Sequence, residues 1–351
     1  MGLTNMSSAP TISIITTTHN RRRLLEETIN SVLAQSLANW ELIVVDDASE
    51  DETWRWLQTL SEARIKIFHF DRHSERTKAR NLGLETARGE FVLFLDDDDL
   101  LIPTTLQTHL NGLARYPSAL GAVGGFMKFD AAGARETTRY VRRRRLHDIG
   151  PDLLFGHIPV FGQCLFRTEI IKAAGGWRGE FIPIEDHQLW LRIAPEGKVV
   201  LQPEILLHYR VHDGQWRPRK LWKLMTKVRQ RAIKKIEGKA LAGAERILHA
   251  REHFRAGENF YAGDETFKAL ISYLKAVRLS PGVLRSPVTR MMLLPPIMKC
   301  LLGGRPVFSK LEPIANRRAL EFSRSKIVDD YGENHQPVDG KNYQVAEPQV
   351  D

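Results

Sequence analysis

Four consecutive aspartates are the strongest chemical signal in the sequence. Asp96, Asp97, Asp98 and Asp99 follow the five apolar residues 91–95. A short run of bulky apolar residues predicts a strand that is buried on both faces. Adjacent carboxylates repel each other by about 1 kcal/mol per pair in water, so we expect a cation among them. In open α/β sheets, ligands bind at the carboxyl ends of strands. This run alone leaves a solvated acidic turn as an equal alternative.

A second acidic pair strengthens the case for a site. Asp46 and Asp47 follow the predicted strand 41–45, which is apolar from residue 42 onward. If both strands belong to one parallel sheet, both acidic groups lie at the same edge. Two such groups in a chain with a net charge of +9 favour a site for a metal-bound anionic ligand.

Strands and helices alternate around these acids. β-Branched and apolar runs predict strands over 11–18, 41–45, 65–70 and 91–95, and helical spacing predicts helices over 25–35, 49–60, 79–88 and 103–116. Asn20 is a candidate N-cap, and Ser49 with Glu52 forms a capping-box pattern. The alternation predicts an α/β fold with a doubly wound, mostly parallel sheet.

The pattern loosens after residue 121. We predict strands over 160–166, 198–203 and 205–211, a short helix over 168–174, and an amphipathic segment from Glu185 and Asp186 to residue 194. The predicted organisation is a flexible N-terminus (1–10), one main domain (11–215), a basic helical extension (216–324) and a disordered tail (325–351). The extension should contain a helical hairpin that turns at Gly263.

Composition narrows the class of protein. The chain has 351 residues, of which 42% are hydrophobic and 26% charged, as in globular proteins. Its basic charge predicts an acidic partner, such as nucleotide phosphates, anionic lipid or nucleic acid. Two cysteines, Cys164 and Cys300, exclude a disulfide framework and fit a reducing compartment. The sequence shows neither a signal peptide nor a run of about 18 apolar residues, so we expect a cytoplasmic protein. Residues 285–304 could lie at a membrane surface, although a helix covering the core is favoured.

Taken in order, the motifs resemble the family 2 glycosyltransferases over residues 10–215. The matching segments are the first strand and helix, ELIVVDDASED (41–51), ARNLG (79–83), GEFVLFLDDDD (89–99), EDHQLWLR (185–192) and YRVH (209–212). The resemblance implies a GT-A fold in a single domain, a nucleotide-sugar donor, a divalent metal and inversion at the anomeric carbon.

The resemblance also implies roles for individual residues. Thr17 and His19 correspond to positions that line the nucleobase pocket. Asp47 corresponds to the acid that binds an N–H of the base. Arg76, in the loop before the helix at residue 79, lies near a position that faces the base or the phosphates.

The remaining roles concern the reaction itself. Asp96, Asp97 and Asp98 cover the DxD element, in which one acid holds the ribose and another the metal. Asp98 is favoured as the metal ligand and Asp96 is second. His212 corresponds to a position that binds metal or diphosphate, with a surface histidine as the alternative. Asp186 corresponds to the catalytic base.

Sugar transfer explains why such groups are needed. The diphosphate leaving group gains negative charge, and Mg²⁺ or Mn²⁺ with oxygen ligands can neutralise it. A carboxylate on the opposite side of the sugar ring must take the proton of the acceptor hydroxyl. Asp186 could instead only cap its helix. We expect Trp177 and Trp190 to pack in the core, and Arg80 and Asn81 to brace the loop that carries Arg76.

The favoured function is an inverting, metal-dependent glycosyltransferase that acts on a glycan or lipid-linked acceptor in cell-surface polysaccharide assembly. A catalytically inactive sugar-nucleotide-binding protein of the same fold is the alternative. Peripheral contact with the inner face of a membrane through the basic C-terminal helices is a further prediction. A nucleic-acid-binding module is not expected, because the sequence has no finger spacing or RNP-like motif.

Overall fold

One mixed β-sheet organises the described part of the chain. The computed structural model describes residues 9–130, 133–182, 184–211, 227–230, 238–263, 265–286, 294, 296–298 and 300–301. Within these ranges ten strands form a single sheet with the order β3-β2-β1-β4-β9-β6-β10-β5, while β7 pairs with β6 and β8 with β10.

The strands are β1 (Ile12–Thr18), β2 (Trp40–Asp46), β3 (Ile65–His69), β4 (Phe91–Phe94), β5 (Leu100–Leu101), β6 (Gly121–Asp130), β7 (Gly133–Thr138), β8 (Arg145–His147), β9 (Cys164–Arg167) and β10 (Val199–Arg210). The helices are α1 (Arg22–Leu33), α2 (Thr53–Leu57), α3 (Arg76–Thr86), α4 (Thr105–Arg115), α5 (Gly150–Phe155), α6 (Thr168–Ala173), α7 (Glu185–Ile193), α8 (Gly238–Ala262) and α9 (Thr266–Leu279).

The first four strands in the sheet order, β3-β2-β1-β4, run parallel to one another. The carboxyl ends of β2 and β4 therefore lie at the same edge, on either side of β1, as the sequence predicted. Beyond β4 the sheet is mixed, because β9 is antiparallel to both β4 and β6. We predicted a mostly parallel sheet, and the half that carries the acids is parallel. Beyond it β6 and β10 also pair in parallel, whereas β5, β7 and β8 join the sheet antiparallel.

Two apolar layers cover the sheet, one on each face. One includes Ile15, Phe94, Phe166 and both predicted core tryptophans, Trp177 and Trp190. The other includes Ile14, Leu42, Leu93 and the inner side of α1 and α4. Packing of α/β layers on a central sheet buries strands on both faces, which explains why the central strand β4 (FVLF) is wholly apolar.

The C-terminal helices α8 and α9 pack against each other and against α5, confirming the predicted helical extension. Phe155 of α5 shares a buried cluster with Phe254 and Tyr273 from the two helices. Gly263 lies in the turn between them, as predicted. None of the helices within the described ranges combines the length and hydropathy that crossing a membrane requires.

Two predicted helix caps are wrong. The Ser49 hydroxyl donates to Asp46 and its oxygen accepts the backbone N–H of Asn20, so it is not available to cap α2. The side-chain oxygen of Asn20 accepts the backbone N–H groups of Glu50 and Asp51 instead of capping α1. Both side chains join the loops that follow β1 and β2, an arrangement that depends on the sheet bringing those loops together.

Candidate active site

The aspartate run at the end of β4 divides into one exposed and three buried side chains. The Asp96 side chain keeps 55% of its surface exposed, whereas Asp97, Asp98 and Asp99 are buried. Asp99 accepts the backbone N–H of Arg210 at 2.9 Å, and burial raises its pKa well above the ordinary range. Asp99 therefore connects the tip of β4 to the end of β10.

Arg21, the N-cap residue of α1, places a positive charge among the acids. Its Nη1 donates to Asp97 Oδ1 at 3.1 Å and to Asp98 Oδ2 at 3.0 Å. Burial raises the pKa of Asp97 to about 6, although Arg21 opposes the shift. The repulsion within the run is thus partly neutralised by the chain itself.

A second arginine, Arg80 on α3, joins the two acidic parts of the site. Its Nη2 donates to Asp96 Oδ1 at 2.8 Å, and its Nη1 lies 3.4 Å from Glu185 Oε1 and 3.3 Å from Asp186 Oδ1. Its guanidinium carbon lies 4.4 Å from the centre of the Trp177 ring. Burial would lower the pKa of Arg80, but these carboxylates outweigh it and the pKa is raised.

This position corrects the expectation that Arg80 and Asn81 brace the loop with Arg76. Arg80 instead contacts the acids of the site. Asn81 holds the segment at Trp177, donating to its carbonyl at 2.9 Å and accepting its N–H at 2.8 Å.

Asp186 lies in the first turn of α7, where no side chain caps the helix and the N-cap residue is Ile184. The capping role that we considered for Asp186 is therefore not seen. The side chain keeps 41% of its surface exposed. Desolvation by the surrounding protein nevertheless raises its pKa to about 6. Arg80 opposes this increase, and Glu185 adds to it. A half-exposed carboxylate with this pKa can accept a proton near neutral pH.

Glu185 is buried beside Asp186. Its Oε1 accepts hydrogen bonds from Arg76 and Arg80, while its Oε2 is buried without a hydrogen-bond partner. Arg76 is the first residue of α3 and does not lie in the preceding loop, which corrects the sequence prediction. The helix starts early because Glu75, at φ 137°, turns the chain into it.

The residues expected to face the nucleobase lie at the ends of β1 and β2. Thr17, half-buried on β1, is in register with Val45 of β2. His19 Nδ1 donates to the carbonyl of Asp47 at 2.8 Å, and its ring centre lies 4.5 Å from that of His73. The two imidazoles form an aromatic surface beside the strand ends.

The Asp47 carboxylate is occupied by the loop before α3. It accepts the backbone N–H of Ser74 at 2.7 Å and of Glu75 at 3.2 Å, and His73 Nδ1 lies 3.1 Å from its Oδ2. Asp47 thus fixes the position of the loop before α3, and this role is separate from the predicted contact with the nucleobase.

The structure places eight of the nine predicted site residues along the β1, β2 and β4 ends and the starts of α3 and α7. His212 lies outside the described residues. Sequence reasoning missed Arg21 and His73 altogether. The signal for Arg21 was its place directly after β1, the strand that lies between the two acid-bearing strands.

The carboxylate oxygens at the β4 tip are the ligand type that Mg²⁺ or Mn²⁺ prefers. Within the described ranges no group of three or more His, Cys, Asp or Glu side chains is arranged to hold a metal ion. Magnesium is usually bound by one or two carboxylates, and substrate phosphates complete its coordination.

Comparison with known proteins identifies the family. The model of the family described as "Glycosyl transferase family 2" matches residues 13–173. EpsE of Bacillus subtilis (strain 168), a glycosyltransferase by name, is 31% identical over 199 residues, which cover 55% of this chain and 69% of EpsE. WfaP of Escherichia coli is 25% identical over 210 residues, 58% of this chain and 78% of WfaP. Over 117 residues TuaG of B. subtilis is 38% identical, but this stretch covers 33% of this chain and only 46% of TuaG.

Solved structures show the same fold. The crystal structure of S. aureus TarS 1-349 in complex with UDP-GlcNAc superposes with a TM-score of 0.60 and 18% identity, covering 83% of this chain and 90% of that one. At this identity the likeness concerns the fold, and it confirms the predicted GT-A class. The strand-end acids, the family match and the shared fold together show that the chain belongs to glycosyl transferase family 2.

Proposed function

We propose that the protein transfers a sugar from a nucleotide-sugar donor to an acceptor hydroxyl with inversion at the anomeric carbon. The observation that carries this proposal is the Arg80 guanidinium, which contacts both Asp96 at the β4 tip and Asp186 at the start of α7. Arg80 thus fixes the position of Asp96 relative to Asp186. We expect Asp96 beside the donor diphosphate and Asp186 beside the acceptor that it activates.

The donor would bind along the ends of β1, β2 and β4. The TarS fragment, which shares the fold, has been crystallised with UDP-GlcNAc and with UDP, which supports a nucleotide-sugar donor here. The base would lie against Thr17, His19 and Asp47, and Arg76 would face the base or the phosphates. Asp96 and Asp97 would contact the ribose side of the donor.

A divalent metal would be held by Asp98 and Asp96, with His212 remaining a predicted third ligand. When bound, Mg²⁺ or Mn²⁺ would neutralise charge on the leaving diphosphate. Arg21 now shares the Asp98 carboxylate, so we expect it to move or to share its hydrogen bonds when a cation binds.

Asp186 would act as the general base. As the acceptor oxygen forms its bond to the anomeric carbon, the bond to the diphosphate oxygen breaks and the hydroxyl proton passes to Asp186. This single displacement inverts the anomeric configuration. A pKa of about 6 leaves the carboxylate mostly ionised at neutral pH, as the role requires. Arg80 is a positioning residue that holds the carboxylate in place.

The acceptor is proposed to be a glycan or lipid-linked sugar. WfaP carries the name UDP-Glc:alpha-D-GlcNAc-diphosphoundecaprenol beta-1,3-glucosyltransferase, and TuaG is named for teichuronic acid biosynthesis. These names support a lipid-linked acceptor and a role in cell-surface polysaccharide assembly.

An exposed apolar surface supports peripheral contact with a membrane. Phe267, Ile271 and Leu274 lie at helical spacing on α9, and Phe267 is 75% exposed. The opposite face of α9 packs into the protein. The helix contains three basic and no acidic residues, which fits an anionic lipid surface. Further exposed apolar side chains follow at Leu294, Met298 and Leu301.

A transfer assay with the full chain tests the proposal. A panel of nucleotide sugars with Mn²⁺ is offered with lipid-linked acceptors, and Asp186→Asn is compared with the exposed control Asp71→Asn. We expect Asp186→Asn to bind donor normally and to lose about 10²–10⁴-fold in transfer rate. Unchanged turnover would contradict the assignment of the base. Donor binding without any transfer by the wild type would favour the sugar-nucleotide-binding alternative.

A further inference from the structure

A buried arginine beside Gly156 has no anionic partner among the residues that the structure describes. Arg229 lies in the helical segment 227–230 and is 5% exposed, and its Nε is buried without a hydrogen-bond partner. Burial and the nearby Arg251 lower the pKa of Arg229 to about 9, so it remains a cation at neutral pH. A buried charge without a partner is destabilising, so the position of Arg229 calls for an anion.

Arg229 and the α8 residue Arg251 converge on one point at the end of α5. A Cβ atom added to Gly156 would lie 2.9 Å from Arg251 Nε and 3.1 Å from Arg229 Nη2. Gly156 is the left-handed C-cap of α5, with φ +118°. The missing side chain allows two guanidinium groups to approach the same place from different elements.

The described neighbours do not balance these charges. Arg251 forms an ion pair with Glu258 at 3.3 Å, and its guanidinium also faces the rings of Phe155 and Phe254. His187, beside Arg229, adds no negative charge, because burial and Arg229 lower its pKa to about 3. Among the described residues, one half-exposed carboxylate therefore pairs with Arg251, and none pairs with Arg229.

We propose that Arg229 and Arg251 form an oxyanion site at the C-terminal end of α5, which binds a phosphate or diphosphate group. Each planar guanidinium presents a fork of donors that matches two oxygens. A carboxylate has only two oxygens, and a single guanidinium group can donate to both of them. A phosphate group has enough oxygens to accept hydrogen bonds from two guanidinium groups. The site shares no residue with the strand-end acids and does not depend on the proposed transfer reaction.

The test measures anion binding to the full chain. Thermal unfolding and calorimetry are performed with inorganic phosphate, pyrophosphate and chloride at matched ionic strength, on the wild type and on Arg229→Met. Arg246→Met is the control, since Arg246 is an exposed residue of α8. We expect phosphate or pyrophosphate to raise the wild-type melting temperature more than chloride does. Arg229→Met should weaken that binding by about tenfold or more and leave nucleoside diphosphate binding unchanged, whereas Arg246→Met should behave as the wild type.

Two results would contradict the proposed oxyanion site. If phosphate and pyrophosphate stabilise Arg229→Met as much as the wild type, the anion binds elsewhere and the proposal is wrong. If the wild type shows no preference for phosphate over chloride and Arg229→Met is less stable in every buffer, a carboxylate of the chain itself serves the guanidinium. Should Arg229→Met fail to fold, Arg251→Met carries the same comparison.

Discussion

Arg80 Nη1 lies 3.3 Å from Asp186 Oδ1, and the same buried guanidinium holds Asp96 through its other nitrogen at 2.8 Å. The contact ties α3 to the first turn of α7 and to the tip of β4. A buried arginine with three carboxylates around it fixes their relative positions, because each pairing compensates part of the cost of burial. The candidate base is thus held by a side chain that need not touch substrate.

The pH dependence of transfer should report the ionisation of Asp186. Because its pKa is raised to about 6, kcat/KM should fall as the pH drops below about 6, by about tenfold per pH unit, and level off above it. Rates with saturating Mn²⁺ and donor at several pH values give the profile. A flat profile between pH 5 and 7 would argue against this residue as the base.

Replacement of Arg80 extends this test to the positioning role. Arg80 lowers the pKa of Asp186, so Arg80→Met should move the acidic limb of the profile to higher pH. Arg80→Lys keeps a positive charge and should leave the limb near its wild-type position, while kcat falls because the fork of donors is lost. If Arg80 had a purely structural role, its replacement would lower activity without shifting the pH at which activity falls.

Arg21 should compete with metal for the acids at the β4 tip. It bonds to Asp97 and Asp98, so Arg21→Gln removes a positive charge beside the proposed ligand. We expect Mn²⁺ alone to bind several-fold more tightly, a change of about 1 kcal/mol, as measured by calorimetry. The control Arg22→Gln changes a neighbouring, half-buried arginine that pairs with Glu26 instead of the acids and should leave Mn²⁺ affinity as it is. Equal affinities for all three proteins would show that Arg21 does not shield the site.

Close packing of the chain before β4 should make Gly89 intolerant of a side chain. A Cβ at Gly89 would lie 2.5 Å from the backbone nitrogen of Ser13, and backbone atoms of β1 cannot move aside. Gly89→Ala should therefore reduce the free energy of unfolding by about 1–3 kcal/mol. Gly282→Ala, where nothing lies within 4 Å, is the matched control. Urea denaturation that gives equal midpoints for both variants would contradict this packing.

Membrane contact should depend on the exposed face of α9. Phe267→Ser with Leu274→Ser should reduce co-flotation with phosphatidylglycerol-containing vesicles by about tenfold, because both side chains would lose their burial in lipid. Leu33→Ser removes an exposed leucine of α1 and should have no effect. Vesicle binding that survives the double substitution, or that is equal on uncharged vesicles, would exclude this surface.

The sequence alone predicted the parallel half of the sheet and the acidic strand tips. Residues 42–45 and 91–95 are all apolar, and residues 11–18 are all β-branched except Ser13, so these segments strongly favour buried strands. It could not predict the contacts of Arg21 with Asp97 or of Arg80 with Asp186, because they join residues 76 and 106 positions apart. The helix caps predicted for Asn20 and Ser49 are wrong for the same reason. Each side chain forms a hydrogen bond with another loop instead of capping its own helix.

Binding of nucleoside diphosphates with and without Mn²⁺ tests the central claim most directly. The nucleotide that binds best from a panel is titrated into the wild type, Asp98→Asn and the control Asp71→Asn, with Mn²⁺ or with EDTA. The account predicts that Mn²⁺ tightens binding to the wild type and the control by about tenfold or more and has little effect on Asp98→Asn. Equal affinity with Mn²⁺ and EDTA in the wild type, or a full Mn²⁺ effect in Asp98→Asn, would contradict it.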